Sequence, residues 1–108
     1  MRFKVETISP FRKAAKKLTK KYPSLKKELS TLGELLSKNP QSGTALGKDC
    51  YKVRLAIRSK GKGKSGGARI ITHVYFSGET VYLLYIYDKS ETETISESQI
   101  AALLELIE

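Results

Sequence analysis

The spacing of hydrophobic positions changes once along the chain, near its middle. In the first half, apolar residues recur every three to four positions over residues 9–22 and again over 25–36, which predicts two helices. Ser9-Pro10 suits the start of the first helix, because proline lacks an N–H group that the first turn would leave unpaired. Asn39-Pro40 predicts the end of the second helix. A short alternating stretch at residues 3–8 predicts a strand before them.

From Cys50 onward the period becomes two, which is typical of strands. Residues 50–58 alternate between apolar and mostly basic side chains, while residues 68–76 and 81–87 are rich in β-branched and aromatic types. These three runs predict three antiparallel strands. A turn at residues 77–79 joins the last two, and the basic, Gly-rich residues 59–67 form a loop between the first two.

The remaining segments complete one domain of residues 1–108. We predict a loop at 41–48, a polar connection at 88–94 and a final helix at 96–107, which begins with a capping box of Ser96 and Gln99.

The element order is therefore β-α-α-β-β-β-α. This order predicts an α+β fold in which an antiparallel sheet packs against an N-terminal helical hairpin and a C-terminal helix. We expect the helices on one face of the sheet, with the charged side of the 50–58 strand left open.

Charge changes the picture, because the net charge of +9 is unevenly distributed. Residues 1–30 carry ten Lys/Arg against two acids, and residues 48–69 carry eight against one acid. Residues 79–108 carry one lysine against seven acids. A basic N-terminal two-thirds favours a polyanion as partner, although lysine-rich helices are also simply well solvated.

Several classes of site and location are disfavoured by the residue inventory. One cysteine and one histidine cannot build a disulfide framework or a zinc cluster, and we expect no metal and no cofactor. The N-terminus has no apolar signal-peptide core, and no apolar run approaches a membrane span. We therefore expect a cytoplasmic protein without a membrane partner.

The candidate chemistry is carried by cations on strands. Lys52 and Arg54 are two positions apart, so both side chains point to one face of the sheet, and Arg69 enters the neighbouring strand. Lys89 leaves the end of the last strand. Such a cluster repels itself unless an anion binds, and a phosphodiester is a natural choice. We predict these four residues as catalytic.

RNA suits this set because it supplies its own nucleophile, the 2′-hydroxyl. The protein then needs to take one proton, stabilise the charge on phosphorus and protonate the leaving oxygen. A lysine among other cations releases its proton more readily and can act as the base, while arginine forks suit phosphoryl oxygens.

A second set of residues is predicted to bind RNA around this cluster. The cations are placed there by charge, His73 by sharing a face with Arg69, and the tyrosines by their ability to stack on bases. Each also has an ordinary interpretation: solvated charge, a packed histidine or core tyrosines. The set comprises Arg58, Lys62, Lys64, His73, Tyr85 and Tyr87.

Three stretches of the chain resemble a known family. Residues 49–55, DCYKVRL, are similar to the start of the second strand in RelE toxins. Residues 61–69, GKGKSGGAR, resemble the signature of HigB-type members of the same superfamily, and Tyr87-Asp88-Lys89 fits the pattern after the last strand. The resemblance follows the element order over essentially the whole chain and is specific over residues 49–89.

That resemblance implies a RelE-like fold and a toxin of a type II toxin–antitoxin pair. Such toxins cleave mRNA, usually in the ribosomal A site, and a cognate antitoxin holds them inactive, here through an acidic or amphipathic segment. Lys52 and Arg54 match the basic pair on the second strand, and Arg69 matches the arginine that contacts the scissile phosphate. Lys89 falls near a residue that serves as acid or charge stabiliser.

One departure from the family pattern bears on the activity. RelE has a catalytic tyrosine near its C-terminus, whereas residues 88–108 contain no tyrosine. Tyr85 or Tyr87 would substitute by analogy.

Two alternatives to a ribosome-dependent endoribonuclease stay open at this point. One is a ParE-like gyrase poison with the same fold; the other is a non-catalytic basic nucleic-acid-binding module. If the ribonuclease prediction is right, the protein alone should cut naked RNA poorly, because the sequence offers no strong general base.

Overall fold

The computed structural model describes residues 2–61, 63, 66–92 and 94–107. It confirms the α+β class and the order of the predicted elements. In chain order these are β1 (Lys4–Thr7), α1 (Ser9–Lys21), α2 (Leu25–Lys38), β2 (Thr44–Gly47), β3 (Cys50–Leu55), β4 (Ala68–Tyr75), β5 (Thr80–Asp88) and α3 (Glu97–Leu104), with one 3₁₀ turn at Arg58–Lys60.

The five strands form one sheet in the order β1-β5-β4-β3-β2. Strands β3, β4 and β5 make the predicted antiparallel meander. Strand β1 runs parallel to β5, so the sheet is mixed and not wholly antiparallel. The alternation of a four-residue edge strand is the same in either direction, so the pattern alone cannot fix which way it runs.

Strand β2 lies where the sequence predicts only a loop. It pairs with β3 through a two-residue turn, Lys48-Asp49, in which both residues have positive φ, 54° and 59°. Such a turn suits the twist of two antiparallel strands, and aspartate tolerates this conformation better than most residues. The strand is only four residues long and exposed, which explains its weak hydrophobic signal.

Two hydrophobic cores lie on opposite faces of the sheet. Helices α1 and α2 cover what we call the hairpin face, where Leu25 and Leu36 pack with Ile70 and Ile86. Helix α3 covers part of the other face, which we call the α3 face.

The expectation that all helices share one face is therefore wrong. Neighbouring residues Ile70 and Ile71 are both fully buried, one in each core, and Ile100 of α3 packs in the second core with Ile71 and Leu84. A strand that is apolar on both sides requires cover on both sides.

A bulge in β5 shifts the alternation of its side chains. Ile71 pairs with Tyr85 while Thr72 pairs with Leu83, so Leu84 is the extra residue. Leu84 and Tyr85 consequently both pack in the α3-face core. Beyond the bulge, Ile86 returns to the hairpin face and Tyr87 to the α3 face.

Among the described residues, no helix has both the length and the apolar character needed to cross a membrane.

Candidate functional site

Two arginines stand directly opposite each other on neighbouring strands of the α3 face. Arg54 of β3 pairs with Arg69 of β4, and Arg69 pairs on its other side with Tyr87 of β5. Side chains directly opposite in an antiparallel pair have Cβ atoms about 5 Å apart, and like charges there are destabilising. We call these three residues the arginine row.

A second row of paired residues lies beside the arginine row, two residues away on each of the three strands. It consists of Lys52, Ile71 and Tyr85, paired in the same way. Lys52 thus brings a third cation to the same face as the two arginines. The rings of Tyr85 and Tyr87 lie next to each other, with centroids 6.5 Å apart. The fold therefore brings together Lys52, Arg54, Arg69, Tyr85 and Tyr87, as the sequence predicts.

Exposure differs sharply among the three cations. Arg54 is exposed and Lys52 is half-buried, whereas Arg69 is only 4% exposed and its Nη1 donates to the carbonyl oxygen of Ala68 at 3.1 Å. A guanidinium keeps its charge even when buried. Arg54 and Lys52 are thus the cations that a phosphate can reach from solvent, and Arg69 adds a fixed positive charge behind them.

Tyr87 lies next to Arg69 on the α3 face, and its side chain is buried. Burial raises the pKa of Tyr87 above its ordinary value, and the nearby Arg69 charge and Thr94 lower it only in part. Its hydroxyl therefore stays protonated at neutral pH. A protonated hydroxyl beside a guanidinium can donate a proton or a hydrogen bond to an oxygen that gains negative charge.

A cavity of about 310 Å³ lies between β5 and α3 on the same face. Its lining includes Tyr85, Ile95, Gln99 and Leu103. An aromatic ring, apolar walls and one amide are the features that hold a nucleobase by stacking and hydrogen bonding.

Lys89 lies at the end of β5, half-buried, and its backbone N–H donates to the carbonyl oxygen of Gly67 at 3.0 Å. Because Ala68 pairs with Asp88, this bond holds Lys89 beside the start of β4, two residues from Tyr87 of the arginine row. Lys62 and Lys64, predicted to bind RNA, lie outside the described residues.

Two other predicted residues are placed away from the arginine row. His73 pairs with Cys50 and Tyr82, and its Nδ1 lies 3.6 Å from the Cys50 Sγ. Four residues of strand, about 13 Å, separate it from Arg69. Burial raises the pKa of Cys50 to about 11, so its thiol is not an activated nucleophile.

Arg58 is turned towards the helical hairpin. It belongs to the 3₁₀ turn, where its backbone N–H donates to Glu28 Oε2 at 2.7 Å, and it lines a groove between α2 and β3.

A buried ionic cluster that the sequence pattern does not predict lies behind the arginine row. The Asp88 carboxylate accepts hydrogen bonds from Lys60 Nζ and from the Tyr22 hydroxyl, the latter at 2.8 Å. Burial raises the pKa of Asp88, but the bonds from Lys60, Ser90 and Tyr22 outweigh it and hold the pKa well below its ordinary value. An aspartate closing an otherwise apolar strand was the available signal.

Within the described part of the chain, no three His, Cys, Asp or Glu side chains come together as a metal site.

The chain matches the model of a known family over residues 10–108, and the description of that family is the RelE toxin of the RelE/RelB toxin–antitoxin system. Its fold is also similar to that of an arginine-to-alanine double mutant of the E. coli toxin RelE in the free state. That match has a TM-score of 0.66 at 16% sequence identity and covers 100% of both chains. The family match spans nearly the whole sequence, so the chain belongs to the RelE toxin family.

Proposed function

We propose that this protein is a toxin that cleaves mRNA on the ribosome through attack of the RNA 2′-hydroxyl on the adjacent phosphorus. The observation that carries the proposal is the arginine row: two guanidiniums opposed across β3 and β4, with a buried tyrosine hydroxyl beside them. A phosphodiester bound there receives charge stabilisation from both guanidiniums.

The proposed reaction forms a bond between the 2′-oxygen and phosphorus and breaks the bond between phosphorus and the 5′-oxygen. Arg54 contacts the phosphoryl oxygens, and Arg69 stabilises the negative charge that gathers there. Lys52 takes the proton of the 2′-hydroxyl in the form of its neutral amine, because an ammonium group cannot accept a proton. Tyr87 or Lys89 returns a proton to the leaving 5′-oxygen, which makes Tyr87 the substitute for the C-terminal tyrosine of RelE. No metal or cofactor takes part.

Base recognition is proposed to use Tyr85 and the cavity beside α3. A nucleotide whose phosphate lies at the arginine row can place its base against the Tyr85 ring and the apolar wall of Ile95 and Leu103. Lys62 and Lys64 of the basic loop are proposed to bind the flanking phosphates.

The proposed substrate is mRNA in the ribosomal A site, and the proposed inhibitor is a cognate antitoxin. The described residues offer no strong general base, so a ribosome that orders the message supplies much of the alignment. The antitoxin belongs to the family pattern, and an acidic or amphipathic segment of it suits the cationic face. Both partners place the proposed action in the cytoplasm.

The test is mRNA cleavage in a translating extract, mapped by primer extension, with wild-type protein and Arg54→Ala. Arg54 is exposed, so its truncation leaves the fold intact, and we expect cleavage to fall by about 100-fold, as for loss of one transition-state hydrogen-bond donor. Arg2→Ala, another exposed arginine far from the row, is the matched control and should cut like wild type.

Other outcomes would point elsewhere. Equal cleavage by Arg54→Ala and wild type would remove the arginine row from the site. If the folded wild-type protein makes no cuts at all, the ribonuclease proposal fails, and assays of gyrase inhibition and of RNA binding then separate the two alternatives.

A further inference from the structure

The Asp88 carboxylate joins three segments of the chain. Its Oδ2 accepts the Tyr22 hydroxyl at the end of α1. Its Oδ1 accepts Lys60 Nζ from the 3₁₀ turn, and also the backbone N–H and the hydroxyl of Ser90 at 2.9 and 2.7 Å. Lys60 Nζ lies 5.6 Å from the centre of the Tyr22 ring as well. The Asp88 carboxylate thus accepts four hydrogen bonds, which hold it in one position.

This ion pair differs in kind from the others found among the described residues. The Lys60 and Asp88 side chains are 8% and 1% exposed, whereas Arg2–Glu34 and Lys21–Glu91 lie in solvent. Removing two charges from water costs free energy that their attraction often fails to return, so a buried pair is weak evidence for stability alone. We therefore consider which segments of the chain the Lys60–Asp88 pair holds in place.

The pair sits where both ends of the basic loop meet β5. Lys60 is the last residue of the 3₁₀ turn that leads into the loop, and Gly67 is the residue that leaves it for β4. The Gly67 carbonyl accepts the backbone N–H of Lys89, the residue after Asp88. The dipeptide Asp88-Lys89 therefore ties down the entry and the exit of the loop together.

The carboxylate faces away from the arginine row. Asp88 contacts Tyr22 of α1 on the hairpin face, while Tyr87 packs in the core of the α3 face. Asp88 therefore lies behind the site and acts on it only through the residues that it holds.

We propose that Asp88 is a positioning residue for RNA binding: through Lys60 and Tyr22 it fixes the two ends of the basic loop and Lys89 relative to the arginine row. The inference rests on the proposed function, because it takes the arginine row as the place where the message binds. Residues that are held in place before RNA binds lose less conformational freedom on binding, so we expect the effect of Asp88 to appear in the affinity for RNA.

The test compares Asp88→Asn with Glu91→Gln, a matched control that neutralises an exposed carboxylate three residues on. Cleavage is measured against the concentration of programmed ribosomes to give KM and kcat separately. For Asp88→Asn we expect KM to rise about tenfold, the scale of one lost charge-assisted hydrogen bond, with kcat within about twofold of wild type. Glu91→Gln should match wild type in both.

If the role of Asp88 were purely structural, Asp88→Asn would change kcat and leave KM unaltered. Partial unfolding lowers the active fraction, so kcat falls while KM is unchanged, and that result for Asp88→Asn would overturn the proposal. Tyr22→Phe provides a second variant that keeps the ring beside Lys60 and removes only the hydroxyl. It should raise KM in the same direction by a smaller factor; an unchanged KM in Tyr22→Phe, should Asp88→Asn fail to fold, would also count against it.

The two proposals fail separately. If wild-type protein makes no cuts, the ribonuclease proposal is lost, and the comparison moves to the Kd for a fluorescently labelled single-stranded RNA. A higher Kd for Asp88→Asn than for wild type and Glu91→Gln then supports the proposal that Asp88 positions the RNA-binding residues. Equal values overturn it.

Discussion

At the scale of single residues, the charged side chains of the site differ mainly in how far they are buried. Arg54 and Arg69 have the same side chain and face each other, yet one is exposed and the other is 4% exposed. The strand alternation predicts that they share a face, because that depends on local geometry. Their burial depends on which segments cover the face, which the pattern of a single strand does not contain.

The low pKa of Asp88 makes a prediction about stability against pH. A carboxyl whose pKa is lower in the folded than in the unfolded chain contributes stability above its unfolded value, near 4, and loses it as pH falls towards the folded value. Asp88→Asn should therefore lower the free energy of unfolding at pH 7 by about 3 kcal/mol, as for a broken buried pair.

Below pH 4 the gap between wild type and Asp88→Asn should shrink, because wild type alone loses this contribution on protonation. Urea unfolding at pH 7 and at pH 2 measures the two gaps. A gap of the same size at both pH values would show that the Asp88 charge contributes no stability.

At the scale of elements, the two helices of the hairpin, the β3-β4-β5 meander and the capped α3 are all predictable from periodicity. Three features are not: the short strand β2, the side of the sheet that α3 covers, and the link from Tyr22 and Lys60 to Asp88. Strand β2 is missed because it is short and exposed, whereas the other two features depend on partners distant in the chain, 66 residues apart for Tyr22 and Asp88. Local propensity carries no information on such pairs.

The junction of the basic loop with β4 explains one glycine of the GKGKSGGAR stretch. A Cβ atom on Gly67 would lie 2.1 Å from the carbonyl oxygen of Leu55, a backbone atom of β3 that cannot move aside. Gly67→Ala should therefore lower the free energy of unfolding by about 2 kcal/mol.

Gly33 offers the matched control for that change. It lies inside α2, and a Cβ atom there would meet nothing within 4 Å. Gly33→Ala should raise the free energy of unfolding by about 0.5–1 kcal/mol, because alanine loses less backbone freedom in a helix. Urea unfolding of both variants gives the two signs. Destabilisation of equal size at both glycines would contradict the close approach of Gly67 to β3.

At the scale of the whole molecule, the net charge of +9 governs how the protein meets a polyanion. The logarithm of the association constant for single-stranded RNA should fall linearly with the logarithm of salt concentration, with a slope of about −0.7 for each phosphate contact. Arg54→Ala should make that slope shallower by about 0.7, while Arg2→Ala leaves it unchanged. Fluorescence anisotropy at several salt concentrations measures it, and an unaltered slope for Arg54→Ala would mean that Arg54 contacts no phosphate.

The parallel pairing of β1 with β5 affects how the protein folds during its synthesis. Residues 4–7 pair with residues 80–83, so β1 can join the sheet only after β5 is available. The arginine row needs β5 too, because Tyr87 belongs to it. Contacts between segments so far apart in sequence require a long loop to close, which costs conformational entropy. During its synthesis, a growing chain therefore completes neither this edge of the sheet nor the arginine row until β5 has left the ribosome.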